Sequence, residues 1–239
     1  MAKIKKTETG WLAANNWFEL DLGSQFSKNK RHNHRKFRLL GIAMTRLAMT
    51  LIPFALQLEQ LADAAERYLD DQMTWGELKS SRSIVLNSER KKNRIPNSEF
   101  GISELKYRVV QALDSASSRI EFNQSGVPGA SKSITAFGVA NRPEFMAGCD
   151  HGELLLVTLA RDIFGNPFRP VTFDPAWRTS ETISIAGRMY DSRDFSAMPI
   201  LADALEEAGC TNPDLLLHCR ELGVHVRGCW VVDLVLGKS

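Results

Sequence analysis

Cysteine is scarce in this chain. Four stand among 239 residues, at positions 149, 210, 219 and 229, and no two form a CxxC pair. Zinc ribbons and paired-cysteine knuckles are therefore excluded. The GxSxG elbow, the HExxH helix and the glycine-rich phosphate loops are also missing, which removes the common hydrolase and nucleotide-binding signatures. Met1–Gly10 is rich in Lys and Thr and has no apolar core. No secretory leader is expected there, and free thiols in a reducing cytoplasm are the expected setting. An uninterrupted apolar span is lacking too. Leu39–Leu58 approaches the roughly 20 residues that a bilayer needs, but it holds Arg46 near its middle and Pro53. A central arginine costs about 2.5–3.5 kcal/mol even on a lenient insertion scale. Two core helices meeting at Pro53 are expected instead, with no membrane partner.

What is present is ordinary globular composition, 44% hydrophobic and 24% charged, enough to bury a core without disulfides. Net charge is only +2, but it is unevenly placed. Residues 1–100 hold 17 Lys and Arg against 11 Asp and Glu, and no acidic residue lies between Asp21 and Glu59. Lys28–Arg38 (KNKRHNHRKFR) concentrates Lys28, Lys30, Arg31, Arg35, Lys36 and Arg38. Such a run can neutralise several phosphates, which makes nucleic acid a candidate partner. The acidic side of Glu59–Asp71 offers another destination for the same charges, inside the fold.

Apolar spacing predicts a mainly α fold, two packed helical parts joined by an irregular segment. The N-terminal helical part covers residues 1–95. It should hold helices over Trp11–Leu22, Arg35–Ile52 and Ala55–Asp71, with a polar loop over Ser24–His34. A further helix should start at Thr74, whose Thr-x-x-Glu spacing to Glu77 is that of a capping box. Residues 96–143 form a linker or insert: a helix over Ser103–Ser117, then the Ser- and Gly-rich Arg119–Pro143 with a short hairpin around Ile134–Val139. Residues 144–239 form the C-terminal helical part, with helices over Glu144–Phe164, Ser180–Tyr190, Ala197–Ala208, Pro213–Arg220 and Val226–Leu236. Gly209 is placed to end the third of these, and Asn212-Pro213 to open the fourth.

The same C-terminal part carries a resemblance. Leu159–Pro170 (LARDIFGNPFRP), Val171–Trp177 (VTFDPAW), Pro199–Cys210 (PILADALEEAGC) and His225–Lys238 (HVRGCWVVDLVLGK) read as one block. It is similar to the C-terminal block of a large family of uncharacterised proteins from planctomycete-type bacteria. Trp11–Leu12, Arg35–Leu40 and Ala64–Tyr68 resemble that family's N-terminal region, whereas residues 95–145 show no likeness. The resemblance implies an origin and an architecture, and no activity. Family members tend to carry a cysteine cluster in the helix matching Phe37–Arg46; here Gly41–Thr45 reads GIAMT, which fits a core-packing role for that position.

Three chemistries can be drawn from the residues themselves. Cys210, His218, Cys219, His225 and Cys229 lie within twenty positions and are all zinc-ligand types, although His218 and Cys219, as helix neighbours, point about 100° apart. Cys229 or Cys219 with His225 or His218 would make a thiol nucleophile, but the apolar surroundings of Cys229 predict burial. Arg161, Asp162 and Arg169 around the Gly165-Asn166-Pro167 turn, with Asp174-Pro175 beyond it, could clasp an anion or simply tie the turn to helix ends. With no catalytic set in view, the expected function is an accessory protein acting through protein–protein contacts, with no cofactor. A nucleic-acid-associated protein is the alternative, and a metal- or thiol-dependent enzyme the third.

Overall fold

The computed structural model describes residues 7–15, 17–20, 30–50, 56–92, 109–110, 113 and 152–238. Among these residues every regular element is a helix and none is a strand, so the fold is mainly α. The chain divides into two compact units: residues 1–21 with 157–239, and residues 22–156. The expected helix over Ser103–Ser117, apart from Val109, Val110 and Leu113, and the hairpin at Ile134–Val139 lie outside the described residues.

The unit of residues 1–21 and 157–239 joins the two ends of the chain. Helix α1 (Glu8–Ala13) starts at Thr7, whose hydroxyl accepts from the Gly10 N–H at 3.1 Å. A short α2 (Trp17–Leu20) follows, so the single helix expected over Trp11–Leu22 is two. The break falls at Ala14, which is extended, and the Asn15 N–H is taken up by the Glu19 carboxylate at 2.8 Å.

The unit of residues 22–156 contains α3 (Lys30–Met49), α4 (Leu56–Leu69) and α5 (Trp75–Lys92). Helix α3 begins inside the stretch expected to be loop. Ile42, Leu58, Leu61, Leu78 and Leu113 are at most 1% exposed and share one core. Arg46 rises from α3 to three carboxylates spaced along one face of α4: Glu59 at 2.6 Å, Asp63 at 2.6 Å and Glu66 at 3.1 Å. Burial opposes the charge of Arg46, but Glu66 and Asp63 outweigh it and hold the guanidinium above its usual pKa. No described helix is long and apolar enough to cross a membrane. The Thr74 capping box forms as read: the Thr74 N–H donates to Glu77 Oε2 at 2.8 Å, and the Glu77 N–H lies 3.4 Å from the Thr74 hydroxyl.

Helix α6 (Gly152–Phe164), which belongs to the first unit from Val157 on, is followed by a 3-10 turn (Pro175–Trp177), α7 (Ser180–Ser192), α8 (Met198–Glu207), α9 (Pro213–Arg220) and α10 (Trp230–Leu236). Helix α9 opens on the Asn212 side chain, which accepts from the Leu215 N–H at 3.0 Å. Gly209 follows α8 at φ +87, the left-handed conformation that favours glycine. Ile185, Met189, Leu201, Leu205, Leu215 and Val232 pack together as the core. Helix α10 starts four residues later than the apolar run at Val226 suggested. Gly228 at φ +99 turns the chain, and His225 and Val226 are held by Asp162.

The N-terminal helix is stitched to α6. The Arg161 guanidinium donates to the carbonyls of Trp11 at 2.6 Å, Leu12 at 2.9 Å and Ala14 at 3.1 Å. Carbonyls of the last turn lack the i+4 donors of a continuing helix, and that of Trp11 also accepts from the Ala14 N–H at 3.4 Å. Asn166 donates to Glu8 at 2.9 Å, and Arg169 pairs with Glu8 as well.

Candidate metal centre

Asp162 lies on the face of α6 that also carries Leu159 and Ile163, both 0% exposed. A carboxylate among core positions needs partners, because burying a charge without them costs several kcal/mol. Asp162 has three. Its Oδ2 accepts from the Val226 backbone N–H at 2.9 Å. Its Oδ1 lies 2.7 Å from His225 Nδ1 and 3.2 Å from His218 Nε2. His218 comes from α9, and His225 from the loop that leaves it.

Cys229, the residue before α10, completes the cluster. Its Sγ is 3.3 Å from His218 Nε2 and 4.0 Å from His225 Nδ1. The four donor atoms all lie within 4.8 Å of one another. Metal–ligand bonds of about 2.0–2.3 Å give a tetrahedron with edges of about 3.3–3.6 Å, and the four distances straddle that span.

The alternative is a thiol relay, and the geometry speaks against it. In a cysteine–histidine–aspartate relay one ring nitrogen faces the sulfur and the other faces the carboxylate. Here His218 turns the same Nε2 to both Cys229 and Asp162, and His225 turns the same Nδ1 to both. Neither imidazole can take a proton from the thiol while its other nitrogen is held by the carboxylate. One nitrogen of each imidazole, the carboxylate and the sulfur face one another, the arrangement a coordination shell needs once the nitrogens and the thiol give up their protons.

Electrostatics favour an ionised Asp162 paired with histidine. Burial would raise the Asp162 pKa, but hydrogen bonds and charge from His218 and His225 overcome it and leave it below the usual value. His225 responds in the opposite sense: burial lowers its pKa, while Asp162 and then the Glu221 backbone raise it to a net increase. Among the described residues no acceptor sits in hydrogen-bond geometry at His225 Nε2, which is buried. The Cys229 thiol, 0% exposed, is pushed well up, first by burial and next by Asp162. Without an ion it stays protonated and is a poor nucleophile; an ion would deprotonate it.

Of the five residues expected to bind metal, His218, His225 and Cys229 meet, and Cys210 and Cys219 do not join them. Cys219 is 0% and Cys210 2% exposed within the apolar core. Burial pushes the Cys219 thiol up to about 12, which makes it a poor nucleophile, and its sulfur is not among the donor atoms that cluster around Asp162. The fourth clustered group, Asp162, enters the sequence pattern as part of the anion clasp. Its signal was legible: an acid three residues after Leu159 and one before Ile163 occupies the apolar face of its helix. The anion clasp itself does not form. Arg161 is spent on α1, Arg169 on Glu8 and Asp214, and the Asp174 side chain accepts from the Ala176 N–H.

Of the basic segment, Lys28 and the side chains of Lys30 and Arg31 lie outside the described residues. Arg35 pairs with Asp70 at 2.8 Å, and Lys36 and Arg38 are 8% and 7% exposed. Comparison with protein-family models, with curated proteins and with solved structures finds no match for this chain.

Proposed function

We propose that this protein binds a zinc ion through Asp162, His218, His225 and Cys229. The observation that carries the reading is the convergence of four donor atoms on one point, with each imidazole presenting a single nitrogen to it. Imidazole, thiolate and carboxylate together suit zinc among the common divalent ions. Four protein donors fill a tetrahedral shell, the pattern of a structural rather than a catalytic centre. The ion would join α6, α9, the 221–226 loop and the start of α10. The family-like block, Leu159 to Lys238, contains all four donors.

Metal analysis of the purified protein tests this directly. One equivalent of zinc per chain is expected, or uptake of one equivalent of Co(II) with a sulfur-to-cobalt charge-transfer band that Cys229→Ser removes. A chain that takes up neither ion overturns the proposal.

A structural centre also fits an accessory protein acting through protein–protein contacts. The observation favouring that role is apolar exposure beside the site: Leu217 is 58%, Leu222 104% and Val224 41% exposed. Leu222→Ser should leave zinc content unchanged and weaken capture of a stoichiometric partner. A partner retained in full by that variant would remove this support. Pairing of Arg35 and burial of Lys36 and Arg38 weigh against the nucleic-acid alternative, since buried cations do not reach phosphates.

A further inference from the structure

Metal-binding histidines are usually oriented by a hydrogen bond to the ring nitrogen that does not face the metal. At His218 ring packing stands out. The His218 ring has two aromatic neighbours: His225, edge-on at 5.0 Å and 81°, and Trp230 at 5.2 Å and 50°. Trp230 directly follows the ligand Cys229 and is only partly buried.

The indole has its own backstop. Gly165 closes α6 at φ +68, three residues beyond the ligand Asp162, with its N–H donating to the Arg161 carbonyl at 2.9 Å. A β-carbon there would lie 3.2 Å from Trp230 Cγ and 3.3 Å from Cδ2. That is tighter than ordinary van der Waals contact, so any side chain at 165 displaces the indole toward its other neighbours. The left-handed backbone separately disfavours residues other than glycine.

We propose that Gly165 and Trp230 are positioning residues of the metal centre, fixing the His218 ring through a backbone–indole–imidazole stack. The proposal rests on the zinc reading above. The two segments that deliver the carboxylate and the thiolate also deliver the parts that aim the imidazole.

The test compares the full-length wild type with Trp230→Ala, Trp230→Phe, Gly165→Ala and Val232→Ala. Val232 is fully buried on the same helix and is a core residue rather than a ligand. Zinc affinity is measured by competition with a chromophoric chelator, and coordination geometry from the Co(II) spectrum. Trp230→Ala is expected to weaken zinc about 10–100-fold and to alter the cobalt bands, with Trp230→Phe recovering most of both. Gly165→Ala should shift the cobalt bands in the same sense, and it carries the test if Trp230→Ala does not fold. Val232→Ala should lower thermal stability while leaving affinity and spectrum unchanged. Wild-type affinity and spectrum in Trp230→Ala and Gly165→Ala would overturn the inference alone. So would an equal loss of affinity in Val232→Ala, which would reduce the effect to loosened packing. A wild-type chain that takes up neither Zn(II) nor Co(II) would overturn the zinc reading itself, and this inference with it.

Discussion

Asp162 and His225 meet at 2.7 Å through Oδ1 and Nδ1, while the next backbone N–H, that of Val226, closes on the other carboxylate oxygen at 2.9 Å. Two consecutive residues of one loop thus grip both oxygens of one buried carboxylate. The loop is located by that acid before any ion arrives.

Removing the acid should therefore cost stability as well as metal. Asp162→Ala leaves two imidazoles and a backbone N–H without their acceptor, and about 3 kcal/mol of destabilisation is expected. Zinc content should fall below stoichiometric in the same variant. Chemical denaturation with metal analysis of the folded fraction checks both; a variant with wild-type stability would show that the carboxylate does not organise the loop.

The metal-free protein should show a pH signature of the Asp162–His225 pair. Asp162 is depressed, so its contribution is present above its unfolded value near 3.9 and lost as pH falls through the folded value. His225 is raised, so its contribution is fully present below its unfolded value near 6.5 and lost as pH rises through the folded value. Both contributions coincide between about pH 4 and 6.5. Chelator-treated protein should have its highest Tm in that window. Zinc, which requires neutral imidazoles and a thiolate, should stabilise increasingly above it. A difference between zinc-loaded and chelated Tm that does not grow from pH 6 to pH 8 would contradict this account.

Cys219→Ala should be a packing change only. The residue is 0% exposed among apolar neighbours, and a loss of about 1 kcal/mol is expected with zinc stoichiometry unchanged. Cys229→Ala should instead lose the ion. Equal zinc content in the two variants would mean that the thiolate donor has been misassigned.

In the other unit, Arg46→Met removes the guanidinium beside Glu66, whose side chain is 3% exposed. Destabilisation of about 3 kcal/mol is expected. The paired change Arg46→Met with Glu66→Gln should recover part of it, because the buried carboxylate charge is gone. A thermal-unfolding comparison of the two variants decides the matter, and no recovery would argue that packing rather than charge is at stake.

The helices were legible where local chemistry announces them. Asn212-Pro213 opens α9 and Thr74 with Glu77 opens α5, because a cap acts within three residues of itself. The candidate metal site was half legible. His218, His225 and Cys229 lie close in sequence, but so do Cys210 and Cys219, and spacing alone does not say which face of α9 looks inward. His218 and Cys219 part company one residue apart, one into the site and one into the core. Asp162 reaches the site from 56 residues before His218, a distance over which no local pattern carries information. The break between α1 and α2 was missed for a related reason. The Ala14 carbonyl is taken by Arg161, 147 residues further on.

That last separation bears on how the molecule is made. The Trp11 carbonyl waits for a guanidinium 150 residues downstream. At translation rates of about 5–20 residues per second, α1 leaves the ribosome roughly 8–30 s before its partner exists. His225 and Cys229 emerge later still. The order of synthesis therefore runs against the order of contact: α1 is born early and seated late, and its unit closes only once the segments around Arg161 and beyond have been made.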